Sequence, residues 1–414
     1  MAFISLLDDR AKPKGSRDPL GFELVWSYFG RQVVGNLTTI TSSLEGFAVA
    51  LLGFHWANEL CAGTDKDSLQ KAVRETFLRY EQIAAYLRFA EESKSIMGIT
   101  RVAKRARDEK LSAYDIGMGA DEQILSDQAS YGLWGLYSAA MRDTGLVKGS
   151  ERVLTDKGTA IVRLIEQSLD KQVYFQMLRA RSVKKAEVER CAKAYMAAIG
   201  NPEMCQQLVT ALMVGSESHA LQRELWDKTC QLHKEGALPG PQGDVLNAYV
   251  NALKKTGLSG GLQQALQEVS QVERVLVALN NIFHYCRRKD GEDVETIIRN
   301  LEMQNYSYSY LPTHLPEKEF SRKETIQSAL NALKEGDYKR TIQKLFELNS
   351  HVMKQRSGAP WVELESMGKL RVRVKSETAA LASLDRLEQR WDYDYFLGSY
   401  LSMARTYLEG TVYG

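Results

Sequence analysis

Cysteine is sparse and scattered in this chain. The five residues stand at 61, 191, 205, 230 and 286 with no CxxC pair. The spacing therefore writes neither a disulfide framework nor a thiolate metal knot, and a reducing compartment is the expected setting. Proline is scarce too, eight in 414 residues, which leaves long stretches free to stay helical. Neither sign of charge dominates: 54 Lys and Arg face 52 Asp and Glu, a net charge of +2. No global field advertises nucleic acid or an anionic surface, so any basic patch has to be local. The longest apolar run, residues 47–57, is broken by Gly53 and His55 and is too short to span a bilayer, so it reads as a buried helix. Asp8 and Asp9 follow a brief apolar start, which argues against a secretory signal. A cytoplasmic chain with no membrane partner is expected.

The vocabulary of catalysis is missing as well. No phosphate-cradling P-loop, dinucleotide-binding glycine motif, HExxH helix or GxSxG elbow occurs. Thr155-Asp156-Lys157-Gly158-Thr159 only scrambles the phosphoaspartate motif of ion pumps and reads better as a helix start. Glu363 with Glu365, and Asp392 with Asp394, lack a Lys or His at nuclease spacing. His55 has no acidic partner or nucleophile fixed near it by spacing and reads as a packed histidine. His284, Tyr285 and Cys286 are adjacent, so on a helix they point in different directions and do not converge on a metal. No enzyme, no cofactor and no metal site is expected.

What the sequence does contain is helical periodicity. At 44% hydrophobic, 414 residues can bury a substantial core divided over two or three domains. A leader rich in Pro, Lys, Gly and Arg runs to Pro19. Two apolar helices follow from Leu20, separated near Gly35-Asn36, with Asn36, Thr38 or Thr39 as caps. Residues 67–92 place Leu69, Val73, Phe77, Tyr80, Ala84 and Leu87 on one stripe. In the basic stretch that follows, Arg101, Lys104 and Arg105 share a helix face, either solvated or laid along a phosphate backbone. Residues 172–198 and 202–235 read as further helices. Residues 236–243, with Gly and Pro alternating, form the best linker.

The second half opens on the most regular stripe, Leu262, Leu266, Val269, Val272, Leu276, Leu279, Phe283 and Cys286, which serves either as core or as a partner seam. Arg287, Arg288 and Lys289 then suit a helix C-terminus. Tyr306, Tyr308 and Tyr310 sit in a loop suited to an interface, to base stacking or to packing. Helices over 323–335 and 337–354 lead to a hairpin over 361–375 with a turn at 366–368, and a last helix runs from Glu377 through Tyr407. In the hairpin Leu370, Val372 and Val374 alternate with Lys369, Arg371, Arg373 and Lys375. That cationic row either tracks an acidic partner or a nucleic-acid backbone, or protects a strand edge.

Residues 122–170 carry the most specific local signal. An apolar run, 133–140, leads through Met141-Arg142-Asp143-Thr144 to Gly145, which can end a helix in the left-handed conformation. Leu146-Val147 and Arg152-Val153-Leu154 can pair as a wing, and Thr155 can cap the next helix. This order resembles the second half of winged-helix proteins. The recognition helix implied by the resemblance would present Trp134, Leu136, Tyr137 and Met141, a poor surface for reading bases, while Arg152 and Lys157 could touch phosphates. The passage 355–361, with Arg356, and the helical remainder look like the helical accessory proteins of bacterial phage-defence systems, such as the Lamassu-type subunit that partners an SMC-like ATPase.

The expectation is a mainly α chain, multi-helical, with an embedded winged helix and a small β-hairpin near the C-terminus. Its regions would be a helical 1–120, a winged-helix-like 121–170, a helical extension 171–235 and a helical 244–414 that includes the hairpin. The expected role is a non-enzymatic adaptor in a bacterial multi-protein complex for phage or plasmid defence. Its partners would be proteins such as an SMC-like ATPase and a nuclease, and duplex DNA would be held without sequence preference. The alternatives are a stand-alone winged-helix regulator and an enzyme with an unrecognised site. Candidate contacts to nucleic acid or partner are Arg101, Lys104, Arg105, Arg152, Lys157, Arg356, Lys369, Arg371, Arg373 and Lys375. Trp134, Tyr137, Leu276 and Phe283 are candidates for a protein interface.

Overall fold

A computed structural model describes residues 18–217, 219–242, 244–365, 367–376 and 381–410, with the side chains at 384 and 385 left aside. Most of the leader, the turn position Ser366 and the expected helix start at Glu377 lie outside the described residues. The described chain is mainly helical with three two-stranded antiparallel pairs. Among its residues no helix is long and apolar enough to cross a membrane.

Short polar side chains open many of the helices by accepting the first free backbone N–H groups. Asp65 accepts from Asp67 and Ser68 at the head of Lys66–Ala90, Asn201 from Met204 just before Pro202, and Ser259 from Leu262 at the head of Gly260–Cys286. The cap of Leu44–Leu60 is Ser43, not the expected Asn36, Thr38 or Thr39. Asn36 is consumed by the tertiary fold instead, donating to Thr144 Oγ1 at 2.8 Å and to Leu212 O at 2.9 Å.

The chain forms two compact units interleaved in sequence: residues 18–32 with 238–395, and residues 33–237 with 396–410. The four regions expected above are consecutive, whereas each unit here gathers segments from distant parts of the chain.

The unit built on residues 33–237 has the helices Leu44–Leu60, Lys66–Ala90 and Lys185–Ile199 at its centre. Phe47, Phe54, Trp56 and Phe77 are fully buried in its core. Residues 172–198 are not one helix. Lys171–Arg179 stops, Ser182–Lys184 forms a strand, and Lys185–Ile199 restarts. The break is set from afar, because Val183 pairs with Tyr114 on Ala113–Asp115, and Ile116 N–H donates to Arg181 O at 2.8 Å.

The other unit is organised on Gly260–Cys286, against which Lys323–Lys334 and Tyr338–Gln355 pack. All eight residues of its stripe are 0% exposed, so the stripe is core. Leu276 and Phe283, expected at a partner interface, are therefore inside this unit's own interior. The expected terminal helix is also divided: Leu384–Gln389 and Leu397–Leu408 flank a turn in which Tyr395 and Phe396 hold φ of 49° and 60°.

Leu276→Asp places an unpaired charge in that core and should abolish cooperative urea unfolding of this unit. Leu364→Asp, at a half-exposed strand residue, should leave it intact. Equal stability of the two variants would contradict the assignment of the stripe to the core.

Candidate functional site

The segment read as a winged helix keeps its expected local details. Gly145 is left-handed at φ 72°, Val147 pairs with Leu154, and Thr155 accepts from Gly158 N–H at 3.2 Å. The run 133–140, however, is split into Leu133–Leu136 and Ser138–Asp143 after a short Gln128–Tyr131. Glu81, buried on Lys66–Ala90, explains the first break. Its carboxylate accepts from Leu133 N–H at 2.6 Å and from Gln128 Nε2 at 2.8 Å. A Cβ at position 132 would lie 2.7 Å from both Glu81 oxygens, so the approach requires Gly132.

The side chains of a would-be recognition helix face inward. Trp134 packs on Phe54 and Phe77 at 5.7 and 5.4 Å, and Tyr137 on Phe47 at 4.7 Å. Trp134 and Tyr137, expected at a protein interface, thus belong to the interior of their unit. Arg152 covers Trp134 at 3.6 Å and donates to Ser138 Oγ at 2.6 Å.

The other expected contact cations are largely consumed in the same way. Arg105 donates to Glu122 O at 2.9 Å and Gln123 O at 3.0 Å, and Arg101 to Gln123 O at 3.3 Å. These two arginines tie down a loop and do not line a phosphate track. Arg356 donates to Asp18 O at 2.6 Å. In the hairpin, Arg373 is bound to Glu363 at 2.6 Å, Arg371 lies 3.9 Å from the same carboxylate, and Lys375 lies 3.3 Å from Asp290. The expected row of four outward cations is therefore partly neutralised, and regular strand geometry ends at Val372. Lys104, Lys157 and Lys369 are exposed.

Arg287 is not merely a helix-end cation. It donates to Val374 O and Lys375 O at 2.9 and 3.0 Å and stacks over Trp361 at 4.5 Å, locking the hairpin to the long helix. His284 is turned toward Ser376 at 3.0 Å, and burial together with Arg287 lowers it to about 4. Cys286 is sealed in the core, where burial pushes its thiol up to about 12. Tyr308 is packed beside Tyr338, and Tyr306 donates to Ala382 O at 3.1 Å, so those two loop tyrosines are engaged internally.

Two features among the described residues stand out as candidates for a ligand. The first is the outer edge of Val362–Leu364. Glu365 N–H donates to Lys369 O and Arg373 N–H to Trp361 O, which fixes the phase of the ladder with Leu370–Val372. With a period of two, Val362 and Leu364 turn their N–H and C=O groups to the other side. Among the described residues no hydrogen-bond partner takes them up, and the edge opens to solvent at Leu364, since Val362 is buried. Beside that edge lies a groove of about 710 Å³ in which Ile342, Phe346 and Ser350 of Tyr338–Gln355 face Pro360, Val362 and Leu364.

The second is a polar cluster in the other unit. His55 Nε2 lies 3.7 Å from Glu59 Oε2, one helical turn on, and 3.5 Å from Glu166 Oε2 at the end of Asp156–Glu166. Lys171 bridges Glu59 and Glu166, the latter at 3.0 Å, and Trp56 Nε1 donates to Glu166 Oε1 at 2.6 Å. Burial opposes ionisation of Glu166, but the bonds from His55, Trp56 and Lys171 prevail and hold its carboxyl at about 2. The reading of His55 as a residue without an acidic partner is thereby corrected. Glu59 was legible at four residues' spacing, while Glu166 and Lys171 arrive through the tertiary fold.

No protein family, curated protein or solved structure matches this chain.

Two buried carboxyls are displaced in the opposite direction to Glu166. Burial raises Glu81 to about 7, against the bonds from Leu133 and Gln128. It raises Glu273 to about 8, against bonds from Asp392 and Tyr393 N–H. A carboxyl whose folded pKa exceeds its unfolded value takes up a proton on folding. The stability it supports is present below the ordinary 4.5 and is lost as pH rises through 7 and 8. Urea unfolding of Glu273→Gln should therefore show a flatter decline than the parent across that window. A parent whose stability rises there, with the variant parallel to it, would contradict the assignment.

Proposed function

We propose that this chain is a non-enzymatic adaptor that takes up an extended segment of a partner protein along the outer edge of Val362–Leu364. The observation that carries this reading is the free edge lying beside an apolar groove. Unpaired strand groups specify an extended backbone, and Ile342, Phe346 and Leu364 favour apolar side chains at alternate positions of that strand. Three residues of edge give a short ladder, which suits a modular contact and limits self-association.

Placement in a bacterial phage- or plasmid-defence complex, beside an SMC-like ATPase and a nuclease, rests on the resemblance of residues 355–361 and the helical remainder. Duplex DNA is a secondary ligand in this reading, held through dispersed cations such as Lys104, Lys157 and Lys369 without base discrimination. A stand-alone winged-helix regulator is disfavoured because Trp134 and Tyr137 are turned inward.

Leu364→Pro deletes an N–H that points away from the hairpin, so an edge strand tolerates it. Co-expressed with the products of neighbouring genes, the parent should co-purify as a complex. Leu364→Pro should lose that complex at an unchanged melting temperature, while Arg371→Glu with Arg373→Glu should retain it. Assembly of Leu364→Pro at parental yield would overturn the docking edge. Separately, competition between unrelated duplexes should reveal less than a roughly hundredfold preference, with affinity falling steeply as salt rises.

A further inference from the structure

The His55 cluster has the geometry of a metal site as well as that of an ion-pair network. His55 Nε2, Glu59 Oε2 and Glu166 Oε2 all lie within 4.8 Å of one another. Ligand atoms bound at about 2.1 Å to one tetrahedral zinc are separated by about 3.4 Å. The two edges that meet at His55 measure 3.5 and 3.7 Å, within a few tenths of an ångström of that separation, and the Glu59–Glu166 edge lies within 4.8 Å. One imidazole nitrogen and two carboxylate oxygens, with a fourth position left to water, form a donor set that zinc accepts.

The oxygens of Glu166 are divided in a way that separates inner from outer partners. Oε1 receives Trp56 Nε1 and Lys171 Nζ, whereas Oε2 is the atom turned to His55. An indole N–H and an ammonium holding the far oxygen of a ligating carboxylate are the outer contacts that orient such a ligand. Lys171 competes at one position, Glu59 Oε2, and its flexible stem lets it withdraw from that oxygen while keeping Glu166 Oε1.

We infer that His55, Glu59 and Glu166 bind one divalent transition metal of the zinc class, with Lys171 as the resident cation that the metal displaces from Glu59. The site sits on two helix ends, Leu44–Leu60 and Asp156–Glu166, and on the first residue of Lys171–Arg179. Binding would clamp these three segments together.

The test is isothermal titration of the untagged full chain with zinc chloride, paired with cobalt substitution. One equivalent should bind. The cobalt form should show visible d–d bands without the thiolate charge-transfer band that cysteine ligation would add. Quenching or shift of Trp56 fluorescence should follow the same isotherm. His55→Ala and Glu166→Gln should each weaken binding by roughly tenfold or more. If Glu166→Gln melts early, His55→Gln carries the test, because it leaves the bonds from Trp56 and Lys171 to Glu166 in place. Absence of stoichiometric zinc binding, or binding that survives both ligand substitutions, would reduce the cluster to an ion-pair network.

Discussion

Arg88 and Glu45 meet at 3.0 Å with 1% and 4% of their side chains exposed, and the unit on residues 33–237 is arranged around the need to keep these two buried charges together. Arg88 also donates to Ala84 O and Ser95 O, and Ser93 Oγ donates to Glu45. A buried ion pair adds little net stability over an apolar replacement, yet breaking one side leaves an uncompensated charge at a cost of about 3–5 kcal/mol. Its consequence is specificity. The start of Leu44–Leu60, the end of Lys66–Ala90 and the turn beyond it have one register in which the charges are answered. Glu81 lies two turns earlier on the same helix and repeats the logic, capping Leu133–Leu136 and demanding a glycine at 132.

The same economy governs the arginines. Each guanidinium offers five donors in a planar fork, which makes it as apt for gathering backbone carbonyls as for reading phosphates. Arg101, Arg105, Arg287 and Arg356 are used in the first way, each tying a loop or chain segment to a helix. Among the expected contact cations, Lys104, Lys157 and Lys369 are exposed, as is Arg371. Composition alone does not separate the two uses, because a basic cluster looks the same whether its partners are solvent, phosphate or carbonyl oxygens.

Periodicity and caps made much of the fold legible. The stripes on Lys66–Ala90 and Gly260–Cys286, the hairpin at 361–375 and the Gly145 and Thr155 signals depend on residues within a few positions of one another. The misplaced elements share another cause. The run 133–140 is parted from Gln128–Tyr131 at Gly132 by a carboxylate some fifty residues upstream, and residues 172–198 are cut by pairing with 113–115. The candidate sites divide on the same line. His55 and Glu59 could be paired from the sequence, but Glu166 and Lys171 reach them only through folding.

The hairpin edge is likewise a product of topology. Leu370 is shared between Leu364 on one side and Gly291 and Glu292 on the other, so Leu370–Val372 is interior and Val362–Leu364 is left at the rim. The adaptor reading stands on that asymmetry, and site-resolved amide hydrogen exchange on the full chain tests it without any partner present. Glu363, whose N–H points into the hairpin, should exchange slowly, while the N–H of half-exposed Leu364, which points outward, should exchange fast. Equal protection of these two amides would mean that the edge is already occupied, and would contradict the account.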